Sequence, residues 1–204
     1  MDAQIKNIIF DWGGVLLDLD VERCLSAFEA AGAKDIRKFI TGTNEADFFK
    51  EYECGTISTG QFCEAIRRYI GRPLADEEID RMWNSMLCSM PPEKLSLIEA
   101  LSRKYRLYLL SNTNELHWEY ASPNVFCHEG KDLKACFDRI FLSYKMHLAK
   151  PDPEIFRTAL READLRSEET VFIDDAPANC RAAETVGIQA LHYTPGTDLS
   201  LLFY

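Results

Sequence analysis

Residues 6–18, KNIIFDWGGVLLD, decide the fold of this chain. Their apolar run, Lys6–Phe10, ends at Asp11, and two glycines, Gly13 and Gly14, follow closely. A short apolar run bounded by a turn signal indicates a strand that is buried on both faces. A carboxylate that leaves such a strand into a Gly-Gly turn lies beside backbone that a ligand can approach closely. The stretch therefore predicts a site at the end of the first strand, although an Asp here also serves as an ordinary turn residue.

Four further runs repeat this pattern along the chain. They are Leu107–Leu110 before Ser111, Arg139–Leu142 before Ser143, Thr170–Ile173 before Asp174, and the weaker Ile188–His192. Helical patterns lie between the runs, at Glu93–Lys104, Pro153–Ala163 and Ala178–Val186. This alternation is typical of an open α/β sheet. We therefore expect an α/β fold with a Rossmann-like open parallel sheet and helices on both faces, with ligands bound at the carboxyl ends of the strands.

Residues 20–90 differ from the rest because they contain no strand-like run. Their patterns predict amphipathic helices at Val21–Ala31, Asp35–Ile40, Glu45–Tyr52, Thr59–Ile70 and Asp76–Leu87. We expect N-caps at Asp20, at Ser58-Thr59 and at Asp76. The sequence thus predicts a core domain of residues 1–19 and 91–204, with a helical domain of residues 20–90 inserted after the first strand.

Charge and cysteine content limit the possible partners and compartment. The 204 residues carry 23 Lys+Arg and 33 Asp+Glu, a formal net charge of −10, which argues against a general nucleic-acid or anionic-membrane binder. No segment approaches the ~20 apolar residues of a membrane helix, and the N-terminus lacks a signal-peptide pattern. Seven cysteines without a CxxC pair indicate free thiols in a reducing compartment. We therefore expect a cytoplasmic protein. A small anionic substrate stays possible, because one local cation or a metal can outweigh the global charge.

Two segments at or near strand ends offer groups that suit a phosphate. Ser111 and Asn112 place a hydroxyl and an amide where phosphate oxygens can be held, or else the segment caps the helix that begins near Glu115. Lys150 stands beside Pro151 just before a predicted helix. It is either a positive point charge for phosphate or an ordinary solvated lysine.

A pair of acids, Asp174 and Asp175, follows the run Thr170–Ile173. Two adjacent carboxylates at the end of a buried strand are costly unless a cation neutralises them. Oxygen ligands favour Mg²⁺ over transition metals. The alternative is a helix N-cap with a spare acid.

The order and spacing of these four segments resemble the haloacid dehalogenase (HAD) superfamily over nearly the whole chain, and the insert is similar to its C1-type helical cap. Within this superfamily, the chain resembles a bacterial branch of sugar-phosphate phosphatases that act on α-D-glucose 1-phosphate. The residues that carry this narrower resemblance are Leu110–Asn114 with His117, Phe141–Ser143 leading to Lys150-Pro151, Phe172–Asp175, and Glu53–Ser58 with Phe62.

The resemblance implies a Mg²⁺-dependent phosphatase of small phosphorylated metabolites, with sugar phosphates and hexose 1-phosphate as expected substrates. It implies that Asp11 attacks phosphorus and forms an aspartyl-phosphate, while Ser111, Asn112 and Lys150 bind the phosphoryl oxygens. The implied residues around the metal are Asp11, the Gly13 carbonyl, Asp174 and Asp175, with Asp175 as a direct ligand. Asn179, where many relatives carry an acid, is expected to orient the groups around the metal, and Asp18 is a further candidate behind them. A monomer or small homo-oligomer is expected, with cap residues around Phe48–Ile57 setting the substrate.

One departure from the family pattern affects the chemistry. Most phosphatases of the superfamily carry a second Asp two residues after the nucleophile, and here that residue is Gly13. Loss of a general acid/base typically costs about 10²–10⁴ in rate. We expect such a site to suit a good leaving group, such as an anomeric phosphate, and Gly13→Asp to help poor leaving groups most. Two alternatives stay open: a 2-haloacid dehalogenase, and a non-catalytic protein that binds a phosphorylated ligand.

Overall fold

The computed structural model describes residues 4–37 and 48–203. Numbering in chain order through these residues, the strands are β1 Asn7–Phe10, β2 Arg106–Ser111, β3 Cys127–His128, β4 Lys131–Asp132, β5 Phe137–Leu142, β6 Thr170–Asp174 and β7 Gln189–His192. The α-helices are α1 Val21–Ala30, α2 Phe48–Glu53, α3 Thr59–Ile70, α4 Asp76–Asn84, α5 Pro92–Leu101, α6 Glu115–Val125, α7 Ser143–Met146, α8 Pro153–Glu162 and α9 Pro177–Glu184. Parts of two predicted helices, 38–40 and 45–47, lie outside the described residues.

Five of the strands form one parallel sheet in the order β5-β2-β1-β6-β7. The central strand is β1, and its last residue, Phe10, is in register with Leu109 of β2 and Ile173 of β6. The residues that follow these three strands therefore meet at one edge of the sheet. The predicted fold class, an open parallel α/β sheet, is confirmed. The small β3–β4 hairpin was not predicted.

Side-chain alternation along the strands builds two apolar layers, one on each face of the sheet. Ile8 and Phe10 of β1 lie in a large cluster that continues into the inserted helices. Ile9, between them, lies in a smaller cluster with Ile155 and Phe156 of α8. Because both faces are covered, the strands read as continuous apolar runs rather than alternating ones.

Helices α1 to α4 lie between β1 and α5, as the sequence predicts. Asp20 caps α1 by accepting a hydrogen bond from the Arg23 amide, and Ser58 caps α3 in a capping box with Gln61. The prediction for Asp76 is wrong, because Ala75 occupies the N-cap position and Asp76 lies in the first turn. A carboxylate in the first turn still favours the helix through its dipole.

The two linkers of the insert run side by side. The Asp18 amide donates to Ser89 O (3.1 Å), the Cys88 amide to Asp18 O (3.0 Å), and the Asp20 amide to Met86 O (2.8 Å). The insert therefore leaves and rejoins the core through one hydrogen-bonded ribbon. The division into domains 1–19 with 91–204 and 20–90 stays a prediction.

All seven cysteines are unpaired in the structure. Among the described residues no helix has the length and apolar character needed to span a membrane.

Candidate active site

The loop after β1 holds Asp11 at the centre of the sheet edge. The Asp11 amide donates to Ile173 O of β6 (2.9 Å), and its Oδ1 accepts a hydrogen bond from the Trp12 amide (2.7 Å). Gly14 has a φ of +81°, which favours glycine, and a Cβ at this position would overlap Oδ2 of Asp175. The Gly-Gly turn therefore brings the Asp11 loop and Asp175 into close contact.

Lys150 lies between two carboxylates. Its Nζ is 2.8 Å from Asp11 Oδ1 and 2.7 Å from Asp174 Oδ2, and all three side chains are buried. The alternative interpretation of Lys150 as a solvated surface lysine is therefore wrong. A buried ammonium with two acids carries a net negative charge, so the cluster can accept a further cation.

Asn112 fixes the backbone of Lys150. Asn112 Nδ2 donates to Lys150 O (2.8 Å), and the Lys150 amide donates to Asn112 Oδ1 (2.8 Å). This reciprocal pair joins the end of β2 to the loop before α8. Ser111 is buried beside it, and its Oγ lies 3.4 Å from Asn112 O. The helix-capping role considered for this segment belongs to Asn114, which accepts from the His117 amide (3.0 Å).

The two late acids have different surroundings. Both oxygens of the fully buried Asp174 accept hydrogen bonds: Oδ1 from the Ala176 amide (2.7 Å), Oδ2 from Lys150, and both from Asn179 Nδ2 (3.0 and 3.1 Å). The half-buried Asp175 carboxylate instead lies against Gly14. Ala176 occupies the N-cap position of α9, so neither acid is the N-cap residue that the alternative interpretation required.

Burial and charge shift the protonation of this cluster. Burial raises the pKa of Asp11 to about 7, with Asp174 adding to the rise and Lys150 opposing it. Burial alone would lower the pKa of Lys150, but Asp11 and Asp174 outweigh it and raise that pKa above its usual value. The pKa of Asp175 is raised by burial and by Asp174. A nearby cation would therefore stabilise the ionised carboxylates of Asp11 and Asp175.

The donor set fits a hard divalent cation. Oxygen atoms of Asp11, Asp174 and Asp175 lie within 4.8 Å of one another, and no other group of His, Cys, Asp and Glu ligands forms such a cluster in the described ranges. Carboxylate oxygens are ligands that Mg²⁺ prefers. The two residues predicted behind the metal have different contacts. Asn179 contacts Asp174, whereas the half-exposed Asp18 forms an ion pair with Lys94 (2.9 Å) at the linker, away from the acid cluster.

A cavity of about 170 Å³ opens between the sheet edge and the inserted helices. Its lining residues are Trp12, Gly13, Leu17, Leu19, Val21, Glu53, Trp83, Met86, Leu87, Ser111, Asn112, Thr113 and His117. Gly13 brings the Asp11 loop into this lining, and Ser111 and Asn112 add polar groups from the end of β2. Glu53, from the end of α2, carries the one formal charge among these lining residues.

His117 links the cavity wall to the insert. Its Nδ1 lies 3.2 Å from Asn114 Nδ2, and its Nε2 lies 3.2 Å from Trp83 O. Trp83 Nε1 donates to Asn114 Oδ1 (3.2 Å), so the neutral imidazole with a proton on Nε2 satisfies each group. Burial lowers the pKa of His117 to about 4, which keeps the ring neutral.

Ser143 also joins the insert to the core, although no role for it was predicted from the sequence. Its Oγ accepts from the Thr113 amide (2.9 Å) and lies 2.6 Å from Glu53 O. His147 Nδ1 contacts Cys54 O (3.1 Å), and Gly55 (φ +64°) packs against Tyr144 O. Ser143 directly follows the β5 run, so the same strand-end rule that selected Ser111 points to it.

Known proteins resemble this chain throughout its length. A family model described as haloacid dehalogenase-like hydrolase matches residues 5–187. The D-ribitol-5-phosphate phosphatase of Bacteroides thetaiotaomicron is 33% identical over 194 residues, 95% of this chain and 94% of that protein.

Solved structures agree with this relationship. A HAD family enzyme from Bacteroides thetaiotaomicron, in complex with magnesium and inorganic phosphate, has a TM-score of 0.92 at 39% identity, covering 98% of this chain and 100% of that one. A HAD-like family hydrolase from Porphyromonas gingivalis has a TM-score of 0.90 at 33% identity, covering 98% of this chain and 97% of that one.

Proposed function

Because the chain belongs to the haloacid dehalogenase-like hydrolases, we propose that it is a Mg²⁺-dependent phosphatase of small phosphorylated metabolites. The observation that carries the proposal is the buried cluster in which Lys150 lies between Asp11 and Asp174, with Asp175 beside them. A nucleophilic carboxylate, a fixed cation and a set of acids for a metal are the groups that phosphoryl transfer requires. The relative that binds both magnesium and phosphate supports the same chemistry.

The proposed reaction begins with Asp11. Its carboxylate attacks phosphorus and forms an aspartyl-phosphate, which water then hydrolyses. Lys150 holds the Asp11 carboxylate in place and stabilises negative charge on the phosphoryl oxygens. Ser111 and the Asn112 backbone, which line the cavity, bind the remaining oxygens. Mg²⁺, when bound, screens the repulsion between carboxylate and phosphate.

The residues proposed to hold the metal are Asp11, Asp175 and the Gly13 carbonyl. Asp174 is assigned a different role, because both its oxygens already accept hydrogen bonds from Lys150, Asn179 and Ala176. It positions the Lys150 ammonium and adds negative charge behind the metal. Groups behind metal ligands commonly orient them in this way.

The cavity favours short substrates. At about 170 Å³ it is smaller than the roughly 300–1,000 Å³ of pockets for drug-sized ligands. Its walls near Leu19 and Trp83 are apolar, and its described lining residues include no Lys or Arg that could pair with a second anionic group. We therefore propose short sugar or polyol phosphates with one phosphate group, a class that includes the substrate named for the Bacteroides relative. Hexose 1-phosphate is a further substrate to test.

Phosphate release tests the proposal. The purified protein is incubated with 4-nitrophenyl phosphate and with a panel of metabolite phosphates, with and without Mg²⁺, and halide release from 2-chloropropionate is followed in parallel. We expect Mg²⁺-dependent phosphate release that Asp11→Asn abolishes. Halide release without metal would favour the dehalogenase alternative. Binding of phosphorylated ligands without turnover would favour the non-catalytic one.

A further inference from the structure

The insert contributes an aromatic residue to the cavity that also holds Ser111 and Asn112 of the proposed phosphate site. This residue is Trp83, near the end of α4, and it is buried. Within the range 48–57, which the sequence predicts to set the substrate, only Glu53 lines the cavity. Selectivity for the alcohol part of a substrate can therefore come from α4.

The position of Trp83 is fixed by contacts with the start of α6. Its Nε1 donates to Asn114 Oδ1 (3.2 Å), and its carbonyl oxygen accepts from His117 Nε2 (3.2 Å). The rings of Trp83 and His117 stack with their centroids 4.5 Å apart. Asn114 is completely buried, and it directly follows Ser111–Thr113, which line the cavity. The network therefore fixes the indole relative to the loop that carries the phosphate-binding groups.

The indole also packs within the insert. Its ring centroid lies 5.0 Å from that of Phe49 and 5.5 Å from that of Phe62. A rotation of the indole away from a longer ligand would break these contacts and leave a buried N–H without an acceptor. Met86, which also lines the cavity, has an unbranched side chain that adapts easily. Trp83 is therefore the more rigid of these two wall residues.

We propose that Trp83 sets the greatest length of alcohol that the site accepts, and that Asn114 is the residue that positions it. The inference rests on the proposed function, because the length is counted from a phosphate group held by Ser111 and Asn112. An alcohol long enough to reach the indole binds only if the ring moves, and the contacts of the ring oppose that movement. Short monophosphates therefore bind without this cost.

The experiment measures kcat/KM for primary polyol phosphates of increasing length, from glycerol 3-phosphate through D-ribitol 5-phosphate to a heptitol phosphate. In the wild type we expect a length limit, beyond which one more carbon lowers kcat/KM by at least about tenfold, similar to the effect of one methylene in an apolar pocket. Inhibition by inorganic phosphate is measured in parallel, because it reports on the phosphate-binding groups alone.

Trp83→Phe is the decisive variant. It keeps an aromatic ring but is smaller and lacks Nε1, and Asn114 Oδ1 still accepts from the His117 amide (3.0 Å). We expect the length limit to move to a longer homologue, mainly through a lower KM for that homologue, with inhibition by inorganic phosphate unchanged. Trp118→Phe is the matched control and should leave the limit unchanged. Trp118 is also buried, but it contacts Trp12 and Phe126 and is not among the described lining residues.

Asn114→Ser tests the positioning role. Serine keeps an N-cap residue for α6 but removes the amide oxygen to which Trp83 Nε1 donates. The variant should weaken the length limit in the wild type, and much less in the Trp83→Phe background, because the effects of residues in contact are not additive. Equal effects in both backgrounds would overturn the role of Asn114.

Three outcomes would overturn the role of Trp83: an unchanged limit in Trp83→Phe, an equal loss for every homologue, or no limit in the wild type. Release of phosphate from 4-nitrophenyl phosphate but from no polyol phosphate would overturn this inference and leave the phosphatase activity standing. A wild-type protein that releases phosphate from no ester would overturn the proposed function itself.

Discussion

The ammonium of Lys150 lies 2.8 Å from the Asp11 carboxylate, and both side chains are buried. Water therefore has little access to either charged group. Asp174 contacts the same ammonium at 2.7 Å. Removing the cation therefore leaves two buried acids without compensation. Breaking a buried ion pair in this way typically costs about 3–5 kcal/mol.

We accordingly expect Lys150→Met to lower the free energy of unfolding by about 3–5 kcal/mol at pH 8 without Mg²⁺. The loss should be smaller at pH 5.5, because the acids can then take up protons, and Mg²⁺ should restore part of it. Guanidinium unfolding at both pH values measures the effect. Lys145→Met, at an exposed lysine nearby, should change stability little. A pH-independent loss would contradict the charge argument.

Magnesium affinity should fall in acid. Burial raises the pKa of Asp11 to about 7 in the metal-free site, so below that pH a proton competes with the metal. Going down from pH 7, affinity should drop by up to about tenfold per pH unit, whereas above pH 8 it should level off. Titration calorimetry with Mg²⁺ from pH 5.5 to 8.5 gives the curve. Constant affinity across that range would exclude Asp11 as a ligand.

Gly14→Ala should abolish magnesium binding. The added Cβ would overlap Oδ2 of Asp175, and the positive φ of Gly14 costs a further ~1–2 kcal/mol for any L side chain. Gly130→Ala separates the two effects, because Gly130 has a similar φ of +77° and a Cβ added there would meet no atom within 4 Å. We expect Gly130→Ala to lose stability alone, with magnesium affinity and turnover intact. Comparable magnesium affinity in both variants would show that the Asp175 contact is unimportant.

His117 should make stability sensitive to pH. In the unfolded chain His117 has a pKa near 6.5, and burial lowers its pKa in the folded protein to about 4. Between these pH values the unfolded state therefore binds more protons than the folded state. The free energy of unfolding should therefore fall on acidification, with His117 accounting for about 2 kcal/mol between pH 7.5 and 5.

The control for this effect is His128, which is only partly buried and lies outside the His117 network. Unfolding curves at pH 7.5 and 5 are compared for the wild type, His117→Gln and His128→Gln. The extra loss at pH 5 should vanish in His117→Gln and persist in His128→Gln. If His117→Gln keeps the full pH dependence, other groups cause it.

Residues next to strand ends were predictable from sequence. Asp11, Ser111 and Asp174 each follow or end an apolar run, and a parallel sheet brings such ends together by its geometry alone. Lys150 could be suspected from the adjacent prolines, but its burial could not be foreseen. Its environment depends on Asp11 and Asp174, which are 139 and 24 positions away in the chain.

Contacts between the insert and the core could not be predicted from the sequence patterns. The Ser143 hydroxyl contacts Glu53 and Thr113, and the side chains of His117 and Trp83 stack, only because the folded insert lies over the sheet edge. The error at Asp76 has a local cause. Its carboxylate favours the first turn of α4 as well as the N-cap, and pattern alone does not separate these adjacent positions.

The ribbon that joins the insert to the core has a consequence for engineering. Because Asp18 and Ser89 are hydrogen-bonded neighbours, the whole segment between them can be exchanged at two adjacent splice points. A chimera that carries the equivalent segment of a related phosphatase leaves every strand of the central sheet and the Asp11 cluster untouched. In such a chimera the donor supplies the inserted helices with their cavity-lining residues, such as Trp83, whereas Asp11, Ser111 and Lys150 stay with the recipient.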